Sequence, residues 1–121
     1  MQIAPGWQIE FREQGQWLVA KVAAPHAAPG DQPPLADHVW QALRARQRNH
    51  LVLDFADMPL LFSYVIGQLV MLYKRVSTSG GAMRLCSLSP SNQNVLKLCR
   101  LDDHFPTYAT PDDAVTGEAR V

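Results

Sequence analysis

A strand pattern is followed directly by a helix pattern in LVLDFADMPLLFSYVIGQLVMLYKR, residues 51–75. Its first five residues form a nearly continuous apolar run, which is typical of a strand buried on both faces. From Ser63 to about Val76 apolar residues recur at helical spacing, so we predict an amphipathic helix there. One hydroxyl, that of Ser63, lies where this helix should begin. Ser63 is therefore predicted either to cap the helix or to carry the chemistry of the protein.

Upstream of this stretch, the pattern predicts a hairpin, a loop and a helix. WQIEFRE and QWLVAKVAA show partial alternation and meet at Gly15, which favours two antiparallel strands. Residues 25–34 contain four of the nine prolines and are predicted to form an irregular loop. Apolar residues at helical spacing then predict a helix from Leu35 to about Arg48.

Downstream, AMRLCSL is predicted to be another strand, followed by a helix that begins at Ser89 or Ser91. HFPTYAT is assigned to a short edge strand, because Pro106 cannot donate a hydrogen bond within a sheet. PDDAVTGEARV is predicted to start as a helical turn and to fray from about residue 116. The order β-β-α-β-α-β-α-(β)-α predicts a single α/β domain over residues 1–121, with helices packed on a mixed sheet of four to five strands.

The composition is that of a packed domain without a strong charge. Hydrophobic residues make up 47% and charged residues 18%, and eleven basic residues balance eleven acidic ones. A neutral chain offers no electrostatic attraction to nucleic acid or to an anionic membrane. Cys86 and Cys99 lie in apolar surroundings and are predicted to be buried free thiols. The chain shows neither a signal-peptide pattern nor an apolar run long enough to span a bilayer, so we expect a cytoplasmic protein.

The residues do not predict an enzyme. The four histidines are scattered, without the spacing of a metal site: His26, His38, His50 and His104. Nucleotide-binding glycine patterns and the nucleophile-elbow pattern are missing from the sequence. We therefore expect a binding protein that needs neither a metal nor another cofactor.

The segment from residue 50 to residue 115 resembles the STAS domain, a family named for sulfate transporters and anti-sigma-factor antagonists. LVLDF resembles the central strand of the family, which ends in an aspartate. IGQLVMLYKR resembles the helix that follows it, and GGAMRLCSLSPSNQNVLKLCRLDDHFPTYATPDDAV resembles the run from a glycine pair to the last helix. The preceding hairpin and helix agree with the family in order. The resemblance implies a STAS-type α/β fold.

The resemblance also implies a role for Ser63. The family typically has Asp-Ser-Ser-Gly or Asp-Ser-Thr-Gly at the start of this helix, and a partner kinase phosphorylates the first serine. Alignment on Asp54 and Gly67 places residues 62–65 over these four positions, so that Ser63 matches the phosphoacceptor. Its neighbours depart from the pattern, with Phe62 in place of the acid, Tyr64 in place of the second hydroxyl and Val65 in place of the glycine.

The leading expectation is a cytoplasmic regulatory module similar to an anti-sigma-factor antagonist. The resemblance implies that its partner is an anti-sigma factor that is also a serine kinase of histidine-kinase-like fold, and that phosphorylated Ser63 weakens the contact. The predicted partner-binding surface is the helix start and the residues that flank it: Asp57, Met58, Phe62, Ser63, Tyr64 and Val65.

Four alternatives remain open at this point. Ser63 could be only a helix cap, in which case its loss would cost about 1 kcal/mol of stability. The module could instead be an adaptor or structural subunit that docks permanently, through an apolar patch at Phe62 and Tyr64, on a transporter-associated partner or on a second copy of itself. The loop at residues 25–34 could also cover that patch. Nucleotide binding is the weakest reading, since only an ordinary helix N-terminus supports it.

Overall fold

The computed structural model describes residues 1–25 and 32–118, and within these ranges it contains six strands and four helices. The strands are β1 (Gln2–Ala4), β2 (Trp7–Gln14), β3 (Trp17–Ala23), β4 (His50–Asp54), β5 (Ala82–Cys86) and β6 (Thr107–Tyr108). The helices are α1 (Leu35–Ala45), α2 (Ser63–Thr78), α3 (Pro90–Leu98) and α4 (Pro111–Thr116).

The six strands form one mixed sheet in the order β1-β2-β3-β4-β5-β6, which is also their order along the chain. β1, β2 and β3 pair antiparallel, and β3 to β6 pair parallel. The predicted α/β class is confirmed, but the sheet has six strands rather than four to five. The additional strand is β1, whose three residues are too few to show a period in the sequence. Gly6, with φ 79°, turns the chain so that Ala4 pairs with Trp7.

The predicted hairpin is confirmed as β2 and β3. Gln14 pairs with Trp17, which leaves a two-residue loop of Gly15 and Gln16. Gly15 has φ 61°, a conformation that a tight hairpin turn often requires at its first position. The hairpin then delivers β3 to its parallel neighbour β4, with Leu18 opposite Leu51.

The two faces of the sheet carry different helices. Because each parallel strand lies next to the preceding one, right-handed crossovers place α1, α2 and α3 on the same face. Leu51 and Leu53 point into this larger core, together with Val65 of α2 and Leu96 of α3. Val52 points to the other face, where a smaller cluster includes residues of β5, β6 and α4. β4 is therefore covered on both sides, as its apolar run predicted.

Several predicted boundaries need correction. α1 ends at Ala45 rather than near Arg48, and Gln47 follows it with φ 54°. Cys86 is buried as predicted, but Cys99 is exposed at the end of α3, where the chain leaves the helix.

Parts of two sequence predictions lie outside the described residues. These parts are positions 26–31 of the proline-rich loop, which include His26, and positions 119–121 of the predicted frayed tail. The end of that loop is described from Gln32 onward, and the C-terminal segment is described up to Glu118.

Candidate functional site

The candidate site is the start of α2. Phe62 occupies the N-cap position, with φ −72° and ψ 157°, and no side chain caps the helix. Ser63 is the first helical residue and is exposed. The interpretation of Ser63 as the helix cap is therefore wrong, because the cap position falls one residue earlier. The hydroxyl of Ser63 lies at the surface and does not make the hydrogen bond of a helix cap.

A turn at the end of β4 begins the loop that leads to this helix. Asp54, which is buried, accepts a hydrogen bond from the backbone N–H of Ala56 at 3.0 Å. The N–H of Phe55 donates to the carbonyl of Cys86 at 3.1 Å, and the Phe55 side chain is buried in the larger core. The aspartate that ends the strand thus fixes the first turn of the loop.

Asn92, in the first turn of α3, holds the second half of the same loop. Its side-chain oxygen accepts a hydrogen bond from the N–H of Leu61 at 3.0 Å, and its nitrogen donates to the carbonyl of Met58 at 3.3 Å. The Asn92 side chain is 0% exposed, so these two bonds are shielded from water. The geometry of the α2 start is therefore set by a residue of the next helix.

The predicted site residues divide into surface and core. Met58 and Val65 are buried, at 4% and 0% exposure, so their assignment to a partner-binding surface is corrected. Both side chains pack in the larger core beneath the site. Phe62 is half-buried against the larger core. Asp57 is exposed, and its carboxylate lies 3.4 Å from the ammonium of Lys21.

Leu60 is a surface residue of this site that the sequence did not identify. Its side chain is 44% exposed, and it lies two residues before Phe62 in the loop. The exposed part of the site therefore combines an apolar side chain with the free hydroxyl of Ser63.

Tyr64 connects the site to the entry of α1. Its hydroxyl donates to the carbonyl of Pro33, and the carbonyl of Gln32 lies 3.1 Å away. Burial and the nearby carboxylate of Asp37 raise the pKa of the Tyr64 phenol above its ordinary value. The described end of the proline-rich loop thus contacts Tyr64, one of the two residues of the patch that the loop was predicted to cover.

Gln68, one turn further along α2, adds a second contact of the same kind. Its side-chain oxygen accepts a hydrogen bond from the backbone N–H of Ala36 at 2.9 Å. The N-cap of α1 is Pro34, and no side chain of its own segment caps this helix. Tyr64 and Gln68, four residues apart on one face of α2, therefore stabilise the start of α1 from outside.

The surroundings of the site offer little for small-molecule chemistry. An open groove of about 440 Å³ lies beside the loop and is lined mainly by small side chains, with Gly6, Ala24, Asp57 and Pro59 among them. Since the strand order is sequential, the sheet has no point where the order reverses, which is where open α/β sheets usually bind ligands. Within residues 1–25 and 32–118, no group of three metal-ligating side chains comes together. No helix of the described chain has the length and apolarity needed to cross a membrane.

Asn92 and Gln68 are the two positioning residues that sequence reasoning missed. Asn92 lies four residues before the buried Leu96, so it occupies the apolar face of its helix. A polar residue on such a face is a signal that could have identified it. Gln68 has no comparable signal, because its partner is a backbone N–H of another helix.

Comparison with known proteins gives consistent matches over most of the chain. A family model described as the STAS domain matches residues 30–114. An anti-sigma F factor antagonist from Paenibacillus polymyxa is 28% identical over 76 residues, which are 63% of this chain and 65% of that relative. The aligned part of the chain thus spans slightly less than two thirds of the relative's length.

Solved structures share the fold at low sequence identity. An anti-sigma factor antagonist from Mycobacterium paratuberculosis matches with a TM-score of 0.76 and 21% identity, over 97% of each chain. A STAS domain protein from Planctomyces limnophilus, described as an anti-sigma-factor antagonist, matches with a TM-score of 0.73 and 24% identity, over 90% of this chain and 96% of that one.

Proposed function

This chain belongs to the STAS domain family, as the resemblance of residues 50–115 predicted, and we propose that it is a regulatory protein-binding module that acts as an anti-sigma-factor antagonist. It switches partners through phosphorylation of Ser63. The observation that carries this proposal is the placement of Ser63, which is exposed at the first position of α2 and makes no capping hydrogen bond. The sequence resemblance aligns this residue with the family's phosphoacceptor.

The electrostatics of the helix start suit a phosphate. The first turn of α2 contains no acidic side chain, so the partial positive charge of the helix end is not neutralised there. A phosphate would add about −1.5 to −2 charges at this end, where the backbone N–H groups stabilise it. The same charge would lie beside the apolar surface of Leu60 and Phe62, and it would oppose the docking of a partner that buries that surface.

The residues that depart from the family pattern leave Ser63 accessible. The side chain of Val65 is buried in the core and does not crowd the hydroxyl. The hydroxyl of Tyr64 is engaged with the carbonyl of Pro33, which directs that side chain toward α1. Phe62 is half-buried, so it is the one remaining bulky neighbour in the family's four-residue pattern.

The proposed partner is an anti-sigma factor that is also a serine kinase of histidine-kinase-like fold. The unmodified protein binds this kinase and releases a sigma factor, and the phosphorylated protein dissociates. The naming of a relative from Paenibacillus polymyxa as an anti-sigma F factor antagonist supports an anti-sigma factor as the partner. In this role the chain is a substrate and a binding partner, acts in the cytoplasm and performs no catalysis of its own.

The experiment is a capture from native cell extract with the wild type, Ser63→Ala and Ser63→Asp. The matched control is Ser91→Asp, which places the same charge on an exposed serine in the first turn of α3. We expect the kinase to be recovered with the wild type, Ser63→Ala and the control, but not with Ser63→Asp. Incubation with the recovered kinase and ATP should add about 80 Da to the wild type and nothing to Ser63→Ala. Equal recovery of the kinase by all four proteins would reject the switch.

A second candidate function is a permanent adaptor, and the exposure of Leu60 favours it. Its side chain is 44% exposed next to Phe62, in a position where an apolar partner surface could cover both. Such an adaptor would bind a transporter-associated protein or a second copy of this chain, and phosphorylation would play no part. Leu60→Asp and Phe62→Asp should then abolish binding or dimerisation, while Ser63→Asp should leave it largely unchanged.

A further inference from the structure

The loop between β4 and α2 contains an arch, residues 58–61, that is held at both ends by one side chain. Asn92 accepts a hydrogen bond from the N–H of Leu61 at 3.0 Å and donates to the carbonyl of Met58 at 3.3 Å. The side chains of Met58 and Leu61 are themselves buried in the larger core. Leu60 lies between these two anchors and is the exposed apolar side chain of the arch.

Asn92 is itself fixed by the start of α3. Its backbone N–H donates to the hydroxyl of Ser89, the N-cap of that helix, at 3.1 Å. Just before the cap, Leu88 is buried, and the N–H of Ser87 donates to the carbonyl of Tyr108 in β6 at 3.1 Å. The arch is therefore tied to the sheet through Asn92 and the start of α3.

The start of α2 has no comparable support of its own. Phe62 occupies its N-cap position without a side-chain hydrogen bond to the helix. Helix ends without a cap fray readily, because their first N–H groups have no partner inside the helix. Ser63 follows the anchored Leu61 by two positions, so the place of its hydroxyl depends on the arch that Asn92 holds.

We propose that Asn92 is a positioning residue for the phosphorylation of Ser63, because it holds this serine at a fixed separation from Leu60. The kinase binds the apolar side chain of Leu60, and the arch places the hydroxyl of Ser63 at the phosphoryl-transfer site of the kinase. This inference rests on the proposed phosphorylation of Ser63 and adds the residue that prepares the serine for it.

Phosphoryl transfer depends steeply on such placement. The oxygen of Ser63 bonds to the γ-phosphorus of ATP as the bond from that phosphorus to the oxygen of ADP breaks, and the hydroxyl proton passes to a base of the kinase. A misplacement of about 1 Å in such a step can cost about a hundredfold in rate. A loosened arch should therefore slow the reaction even when the kinase still binds.

Docking and positioning affect different kinetic parameters. Leu60 is exposed and contacts the kinase before and during the reaction, so its loss should raise KM and leave kcat unchanged. The Asn92 side chain is 0% exposed and cannot contact the kinase. Its loss leaves Leu60 free to dock and should therefore lower kcat while KM stays nearly the same.

The test measures phosphorylation of the purified full chain and its variants by the kinase that the wild type recovers, with ATP and a series of substrate concentrations. Asn92→Leu should lower kcat by about tenfold or more and change KM by less than about threefold. Leu60→Ala should raise KM by about tenfold or more and change kcat by less than about threefold. Asn92→Asp keeps an oxygen that accepts from Leu61 but cannot donate to Met58 when ionised, and it should lower kcat by about threefold or more. This second variant decides the question if Asn92→Leu does not fold.

The matched control is Leu43→Ala, which removes a fully buried side chain of α1 far from the arch in sequence. It should lower the stability of the fold, as Asn92→Leu does, but keep the kcat and KM of the wild type at a temperature where circular dichroism shows every variant folded. An equal fall of kcat in Leu43→Ala would overturn the inference, because stability alone would then explain it.

Two further outcomes separate this inference from the proposed function. If the wild type is phosphorylated at Ser63 and neither Asn92 variant lowers kcat, the positioning role is overturned and the switch stands. If the wild type gains no phosphate at Ser63, both are overturned.

Discussion

α2 and α3 begin in nearly equivalent places and use their serines differently. Each helix follows a parallel strand of the sheet, β4 or β5, and each has a serine at its start. Ser89 is the N-cap of α3, and its hydroxyl accepts a hydrogen bond from the N–H of Asn92 at 3.1 Å. Ser63 lies one position later relative to its helix, exposed and outside the cap.

The two helix starts show how a serine with a structural role differs from one that is available for modification. The serine of α3 is used by the fold, because it satisfies one of the donors that every helix leaves unpaired at its start. The serine of α2 is not used in this way, and the start of its helix is instead held by Asn92 through the preceding loop. A hydroxyl without a folding task at an exposed helix start can be modified without loss of the structure.

The largest expected effect comes from breaking the link between the two helix starts. Asn92→Leu leaves the buried N–H of Leu61 and the carbonyl of Met58 without their partner, which should lower the free energy of unfolding by about 3 kcal/mol. Urea unfolding measures it. Asn94→Leu, at an exposed position of the same helix, is the control and should change stability by less than about 0.5 kcal/mol. Similar losses for both variants would show that Asn92 does not hold the loop.

The next effect tests the comparison directly. Ser89→Ala should lower the free energy of unfolding by about 1 kcal/mol, because it removes the cap of α3. Ser63→Ala should change it by less than about 0.5 kcal/mol, since an exposed side chain without a capping bond is replaced. The two variants are to be compared in one urea series. A loss at Ser63→Ala as large as that at Ser89→Ala would mean that Ser63 has a structural role.

A smaller effect concerns the contact of Tyr64 with the entry of α1. Tyr64→Phe removes the bond to the carbonyl of Pro33 and should lower the free energy of unfolding at neutral pH by about 1 kcal/mol or less. The pKa of this phenol is raised from its ordinary value of 10.0, so above pH 10 the unfolded chain loses the proton before the folded one. The wild type therefore loses stability as the pH rises past 10, and the variant, which has no such proton, does not share this loss.

The measurable quantity is the stability difference between the wild type and Tyr64→Phe in urea unfolding at several pH values. It should be constant below about pH 9 and should narrow above pH 10. A difference that widens with pH would contradict the cause assigned to the raised pKa.

The smallest effect does not change stability and reports the burial of the two cysteines. Cys86 precedes this helix and is buried, and burial raises the pKa of its thiol to about 12, whereas Cys99 follows the helix and is exposed. At pH 8 a thiol reagent should therefore modify Cys99 rapidly in the folded protein and Cys86 only on unfolding. Asn92→Leu should speed the reaction of Cys86, because a less stable fold opens more often. Rapid labelling of both thiols in the native wild type would contradict this packing.

The sequence predicted the strand and the helix that form the site, but not the side-chain contacts that hold them in place. The apolar run of β4 and the helical period after Ser63 predicted the buried strand and the first residue of α2. The family resemblance, in contrast, placed Val65 in the partner-binding surface, although the buried face of α2 includes that side chain. The contact of Gln68 with Ala36 depends on how two helices pack, and no local pattern specifies such a contact.

The sequential order of the strands has a consequence for how the chain is made. Each new strand pairs with the one synthesised before it, so a chain that grows from its N-terminus extends the sheet at a single edge. β4 and α2 can form while the rest of the chain is still being made. The loop between them gains its buried hydrogen bonds only when Asn92 follows on α3. The surface that carries Ser63 is thus completed late, and an unfinished chain cannot present it in its final form to a partner.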